Sequence, residues 1–111
     1  MRLFQYVVPT ADNDARPYTV DHFRKWSMAL IGYAGGYTDT GGAMGAWADS
    51  DGKLYQDHSK LYLVGIGDNG AETVQDTLRG IDAAFFDIFA DQKAIFRAEI
   101  GTAEVIHRPQ T

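Results

Sequence analysis

Apolar side chains along this chain follow two periods, one typical of strands and one typical of helices. The first run, Leu3 to Val8, is rich in aromatic and β-branched residues and predicts a strand. Pro9 cannot donate to a central ladder, so this strand should end there. A helical spacing then begins, with apolar residues at Val20, Phe23, Trp26, Leu30 and Ala34. It predicts a first helix from about Val20 to Ile31, with Thr19 as N-cap and stop signals at Gly32, Gly35 and Gly36.

The middle of the chain is patterned as a β-hairpin, from Gly35 to Val64. Its outward strand includes Ala43 to Trp47 and is weakened by glycines at Gly41, Gly42 and Gly45. The tetrapeptide Asp49-Ser50-Asp51-Gly52 is a strong turn signal. The return strand should run from Lys53 to Gly65 or Gly67, and its dense apolar part predicts a central strand covered on at least one face.

A second helix is predicted from about Glu72 to Ala90, because its apolar residues form one stripe: Val74, Leu78, Ile81, Phe85, Ile88 and Phe89. Lys93 to Ile100 alternates again as a last strand, and 102–107 is expected to extend it or to form a short edge strand. The order β-α-β-β-α-β predicts an α+β, ferredoxin-like domain spanning residues 1–111, with two helices on one face of an antiparallel sheet.

Such a sheet leaves its other face without helices. Leu3 and Val7 should point to that face, opposite Phe4, Tyr6 and Val8, so that both faces of the first strand are largely apolar. A second copy of the chain is the simplest cover for an exposed apolar face. We therefore expect a homo-oligomer, either a dimer or a small ring.

Composition narrows the classes of partner and site. The net charge is −5 and the basic residues are scattered, which argues against nucleic acid as a partner. The chain has no cysteine, which excludes disulfides, thiolate metal sites and a cysteine nucleophile. The first residues are too quickly polar for a secretory signal, and no run approaches a membrane span, so a soluble, cytoplasmic protein without a membrane partner is expected.

Three motifs have a functional and a plain interpretation. Residues 65–70 spell G-x-G-x-x-G between a predicted strand and helix, but Asp68 would repel a phosphate, so a turn with a helix cap is favoured. Residues 49–52 supply too few oxygens for calcium, and a hairpin turn is favoured. The three histidines, His22, His58 and His107, lack metal-ligand spacing. No metal and no cofactor is therefore predicted, and Ser27 and Ser59 lack a nucleophile motif.

The central hairpin also concentrates aromatic and polar side chains, which are the candidate ligand-binding residues: Trp47, Tyr55, Asp57, His58 and Tyr62. Tyr55 and Asp57 share one face of a strand, whereas His58 and Gln56 share the other. An aromatic wall with a carboxylate suits a cationic or nucleoside-like small molecule. The alternative is that the rings are core or interface aromatics and Asp57 is solvated. No catalytic residue can be assigned, and whether the protein is an enzyme stays open.

Two further features could contribute to such a site. The glycine-rich run from Gly32 to Gly45 is a candidate mobile loop beside the hairpin. The alternative is that these glycines are only flexible breaks around the edge of the hairpin. Glu99 and Glu104 are carboxylates that could face a cleft between subunits, although scattered carboxylates are more often solvated.

A pattern of small and aromatic residues resembles a family of small bacterial proteins of unknown function. It comprises Gly36-Tyr37-Thr38, Gly45-Ala46-Trp47, Gly52, Asp57-His58-Ser59-Lys60 and Asp91-Gln92. The resemblance covers about Phe23 to Arg97, with Asp57 where that family has Glu, and it implies the fold but no chemistry. In layout alone the chain is also similar to phage enzymes that degrade S-adenosylmethionine. That similarity implies a small oligomeric enzyme with sites between subunits.

Overall fold

The computed structural model describes residues 1–67 and 71–109, which form a four-stranded antiparallel sheet and two helices. The elements are β1 (Arg2–Pro9), α1 (Val20–Ala34), β2 (Thr38–Ala48), β3 (Leu54–Ile66), α2 (Ala71–Ile88) and β4 (Phe96–Thr102). The strands lie in the order β2-β3-β1-β4, and each neighbouring pair is antiparallel. The predicted α+β, ferredoxin-like fold is confirmed.

The core lies between the two helices and one face of the sheet. Phe4, Tyr6 and Val8 of β1 are at most 3% exposed, whereas their neighbours are only partly buried, as the two-residue period of a strand requires. The same face of β3 contributes Tyr62, Val64 and Ile66. The helices cover this face with six buried side chains, and the residue directly after α2 adds a seventh: Trp26, Leu30, Val74, Leu78, Ile81, Phe85 and Phe89.

The first helix is longer than its pattern predicts. It begins at Val20 with Thr19 as N-cap, as expected, and the His22 side chain completes a capping box with Thr19. It ends three residues later than predicted, because Gly32 is tolerated inside the helix and the left-handed cap falls at Gly35, with φ of 83°. The Gly35 N–H donates to the Ile31 carbonyl at 2.9 Å.

The hairpin of β2 and β3 projects beyond the rest of the sheet. Strand β1 ends at Pro9, which pairs with Ser59, and the Thr10 N–H still donates to the His58 carbonyl, so residues 54–57 of β3 pair only with β2. The chain consequently measures 60 Å along its long axis and 29 and 27 Å across. The expectation of a mobile loop over Gly32–Gly45 is wrong, since from Thr38 onwards this segment is strand paired along β3.

The last strand also differs from its prediction. It begins at Phe96 rather than Lys93, and residues 103–109 form neither an extension nor an edge strand. The pairing of β4 with β1 reaches Arg2 opposite Thr102, after a bulge between Leu3 and Phe4. Beyond it, the amino group of Met1 donates to the carbonyl of Ala103 at 3.0 Å, and the Ala103 N–H returns a bond to the Met1 carbonyl.

Candidate functional site

Three of the predicted site residues meet on the open face of the projecting hairpin. Trp47 and Tyr55 are directly opposed across β2 and β3, and their rings stack with centroids 4.4 Å apart and planes 14° from parallel. The Trp47 Nε1–H donates to the Asp57 carboxylate at 2.8 Å. Because Tyr55 and Asp57 are two residues apart, the strand places both on the Trp47 side. We call Trp47, Tyr55 and Asp57 the hairpin cluster.

The tight turn at the tip holds this cluster in register. One oxygen of the Asp49 carboxylate accepts from the Asp51 and Lys53 backbone N–H groups at 2.9 and 3.0 Å. Its other oxygen accepts from the Tyr55 hydroxyl at 3.3 Å. Gly52 has φ of 80°, a conformation that favours glycine. The interpretation of this segment as a hairpin turn is confirmed, and the Asp49 carboxylate is occupied by the turn itself.

The other two predicted residues lie on the opposite face of β3. Tyr62 is 1% exposed and packs edge-on against Trp26, with ring centroids 6.0 Å apart. Burial is the main cause that raises the pKa of Tyr62 above its ordinary value. Tyr62 is therefore a core residue and not part of the surface with which its sequence neighbours grouped it. His58 is exposed, but it points away from Asp57 because odd and even residues of a strand face opposite sides.

His58 instead lines an open groove of about 430 Å³ at the base of the hairpin, together with Thr10, Met44 and Lys60. The Lys60 ammonium lies 3.0 Å from the Asp39 carboxylate and 5.1 Å from the centre of the Phe23 ring. The bond with Asp39 raises the pKa of Lys60. The pKa of Asp39 is lowered by the Gly41 N–H and by Lys60. Lys60, the one lysine or arginine among the described residues that line this groove, is therefore already paired with Asp39.

A polar cluster that the sequence analysis missed joins the loop before α1 to the segment that follows α2. The Tyr18 hydroxyl donates a hydrogen bond to the Asp91 carboxylate and accepts from Gln92 Nε2 at 2.9 Å. The Asn13 backbone N–H donates to the same carboxylate at 2.8 Å. Burial, followed by the bond to Asp91, raises the pKa of Tyr18 to about 12. Asp91 and Gln92 belong to the pattern of small and aromatic residues that resembles a bacterial family. That pattern pointed to these two positions but does not include Tyr18.

The remaining candidates are dispersed. His22 caps α1, and His107 lies in the exposed segment after β4. Within residues 1–67 and 71–109, no three histidine, aspartate or glutamate side chains are grouped as metal ligands. Glu99 pairs with Arg2 at 2.8 Å, and Glu104 is exposed. The G-x-G-x-x-G motif ends at residues 68–70, outside the described residues. No helix in the described part of the chain has the length and apolarity to span a membrane.

Comparison with known proteins supports the fold. No family profile and no curated protein sequence matches the chain. A phage S-adenosylmethionine lyase, solved in complex with S-methyl-5'-thioadenosine, superposes with a TM-score of 0.60 at 11% identity, covering 89% of each chain. The divalent cation tolerance protein Cut A1 from Thermus thermophilus superposes with a TM-score of 0.62 at 14% identity, covering 95% of this chain and 86% of that one. At these identities the similarity shows a small ferredoxin-like protein.

Proposed function

We propose that this protein binds a small cationic or nucleoside-like molecule at the hairpin cluster, within a homo-oligomer. The observation that carries the proposal is the Trp47–Tyr55 stack with its attached carboxylate. The stack is an aromatic platform that one subunit leaves accessible, since the Trp47 side chain is 51% exposed. The bond from Trp47 fixes the Asp57 carboxylate beside the ring. Platform and charge are therefore in place before a ligand arrives, which lowers the entropy lost on binding.

The chemistry of the cluster selects the class of ligand. A planar base stacks on an exposed aromatic surface with a favourable energy of about 1–3 kcal/mol. A cation gains further from a tryptophan face and from a carboxylate that has no cationic partner among the described residues. The hairpin cluster lies on the side of the sheet that the helices leave open. A molecule that carries both an aromatic base and a positive charge satisfies both features.

The homo-oligomer is supported by the open face of the sheet. Val7, Leu61 and Leu63 are partly exposed there, and Phe96, which pairs with Val7, is 66% exposed. These residues come from three adjacent strands, so they form one continuous apolar surface. A second subunit that covers this surface would also enclose the hairpin cluster from the side that is now open to solvent.

The test is a thermal-shift screen of the purified protein against nucleosides, S-adenosylmethionine and small amines, followed by titration of Trp47 fluorescence. A ligand at a hundred times its dissociation constant stabilises the folded state by about 2.7 kcal/mol. Asp57→Asn should weaken binding of a cationic ligand, because it removes the charge but keeps an oxygen for Trp47. Asp51→Asn is the matched control, since it removes one exposed carboxylate from the turn of the same hairpin. If no ligand shifts the melting temperature, or if both variants weaken binding equally, the proposal fails.

A second candidate function is the enzymatic breakdown of S-adenosylmethionine. Its substrate combines an adenine base with a sulfonium cation, which are the two groups that the hairpin cluster suits. The similarity to the phage lyase supports only the fold of such an enzyme. The test is incubation of the protein with S-adenosylmethionine and detection of S-methyl-5'-thioadenosine by mass spectrometry, with Asp57→Asn beside it. If the protein binds S-adenosylmethionine but forms no product, it is a binding protein. If it neither binds S-adenosylmethionine nor forms product, the interpretation as a structural oligomer is favoured.

A further inference from the structure

The single chain exposes more surface than a compact protein of its mass. Its accessible surface is 7586 Å², whereas about 6,100 Å² is expected for a folded monomer of 12.3 kDa. Its radius of gyration is 15.9 Å, against about 13 Å for a compact chain of this length. The excess of about 1,500 Å² exceeds the roughly 800 Å² that each partner contributes to a standard interface. The projecting hairpin is the first source of this excess.

Within the described residues, the part of β3 beyond the end of β1 has an unpaired backbone edge beside the hairpin cluster. The N–H and the hydroxyl of Thr10 both donate to the His58 carbonyl, each at 3.0 Å, and mark where β1 leaves β3. Backbone groups of an antiparallel strand alternate in direction, so those of Gln56 and Leu54 point to the same side as the His58 carbonyl. No strand of the described residues lies there. A two-stranded ribbon is marginally stable alone, and an unpaired edge accepts a further strand.

The second source of excess surface is the segment after β4. Residues 103–109 carry Val105 and Ile106, which are 66% and 86% exposed. Both are β-branched and favour a strand, yet the segment pairs with no strand among residues 1–67 and 71–109. It starts beside Met1, whereas the free edge lies at the other end of β1. Gln56 lies roughly 34 Å along β3 from Ile66, and the segment spans roughly 25 Å at full extension, so it cannot reach its own hairpin.

We propose that segment 103–109 of one copy adds as a strand to the free edge of β3, along residues 54–57, of a second copy. The added strand continues the row of β1 and pairs the backbone groups of Leu54 and Gln56. The added strand lies beside Tyr55, so the second copy borders the hairpin cluster on a side that is open to solvent in a single chain. Because donor segment and acceptor edge are different surfaces, the contact is head-to-tail and produces a ring when the rotation closes. The contact does not require a ligand and stands apart from the proposed ligand binding.

The first test measures mass by sedimentation velocity for the full chain and for Ile106→Asp. The matched control is Val20→Asp, because Val20 is also 86% exposed and β-branched but lies at the start of α1. The full chain and Val20→Asp should form the same oligomer, and Ile106→Asp should weaken self-association at least tenfold. At 86% exposure Ile106 contributes little to the fold of its own subunit, so circular dichroism should be unchanged. A monomeric full chain, or an oligomer equally stable in Ile106→Asp, would overturn the proposal.

The second test restores the contact from outside. A chain that stops after Ala103 keeps the two bonds to Met1 and should be monomeric. A synthetic peptide of residues 103–109 should then bind it and change the fluorescence of Trp47. The same peptide with Asp in place of Ile106 should bind at least tenfold more weakly. If the shortened chain remains an oligomer, or if both peptides bind alike, segment 103–109 is not the added strand.

Discussion

The cluster of Tyr18, Asp91 and Gln92 makes a prediction about stability that can be worked out in detail. In Tyr18→Phe the ring keeps its packing on Phe89, at 4.8 Å between centroids, and only the hydroxyl is lost. The variant then lacks the bond to the Asp91 carboxylate and the bond from Gln92. A hydrogen bond to a charged group contributes about 1.5–3 kcal/mol when buried. Tyr18 and Asp91 are only partly buried, and water can replace the hydroxyl, so we expect a loss of about 1 kcal/mol.

The stability lost in Tyr18→Phe should depend on pH in a way that identifies the contacts among Tyr18, Asp91 and Gln92. Partial burial raises the pKa of Asp91, but the bonds from Tyr18 and the Asn13 N–H lower it by more, so that its net pKa is lowered. A lowered carboxyl pKa stabilises the folded state above the unfolded value of about 3.9, and this contribution disappears as the pH falls through the folded pKa. Burial raises the pKa of Tyr18 to about 12, so its contribution is complete below about 10 and disappears between 10 and 12.

The difference in unfolding free energy between wild type and Tyr18→Phe should therefore be largest between about pH 5 and 9.5 and should fall at both ends. Burial also raises the pKa of Tyr6 to about 12, but Tyr6 is present in both proteins and cancels. The assay is urea unfolding followed by circular dichroism from about pH 3 to 11. In thermal unfolding near pH 7, the melting temperature of the variant should be lower by about 4 °C. Tyr33→Phe is the control, since Tyr33 is 52% exposed. A difference that is constant from about pH 3 to 11, or equal in the control, would refute the reasoning.

Three further predictions test the core, the turn and the contact between α2 and β4. Phe85→Ala should destabilise the fold by about 3–5 kcal/mol in chemical denaturation, because a fully buried ring is removed, and a loss below about 1 kcal/mol would contradict its central position. Gly52→Ala should cost about 1–2 kcal/mol through its φ of 80°, whereas Gly45→Ala, with open space around its Cβ position, should be neutral in the same assay. Arg97 binds both oxygens of Asp82 at 2.8 and 2.7 Å, so a double-mutant cycle with Arg97→Met and Asp82→Asn should give a coupling of about 1 kcal/mol, and a coupling near zero would show that solvent screens the pair.

The order and type of the elements are set by local patterns, and these were predicted correctly. The period of two in Leu3–Val8 and the stripe from Val74 to Phe89 each determine one buried face, so the fold class follows from them. The hairpin turn follows from the Asp49 side chain and from Gly52, which act within five residues. These features depend on neighbours in the sequence, and a single sequence is sufficient to show them.

The tertiary structure decided which side chains meet. Thr38 to Gly45 has the composition of a loop, yet it is a strand, because pairing satisfies the backbone groups that face β3 and outweighs the weak propensity of glycine. Tyr62 was grouped with Trp47 by proximity in sequence, but the parity of β3 buries it beneath the helices. The bond between Tyr18 and Asp91 joins residues 73 positions apart, which no local pattern encodes. The sequence by itself determined the elements and their buried faces, and only the packing of those elements determined the shape of the candidate site and of the free strand edge beside it.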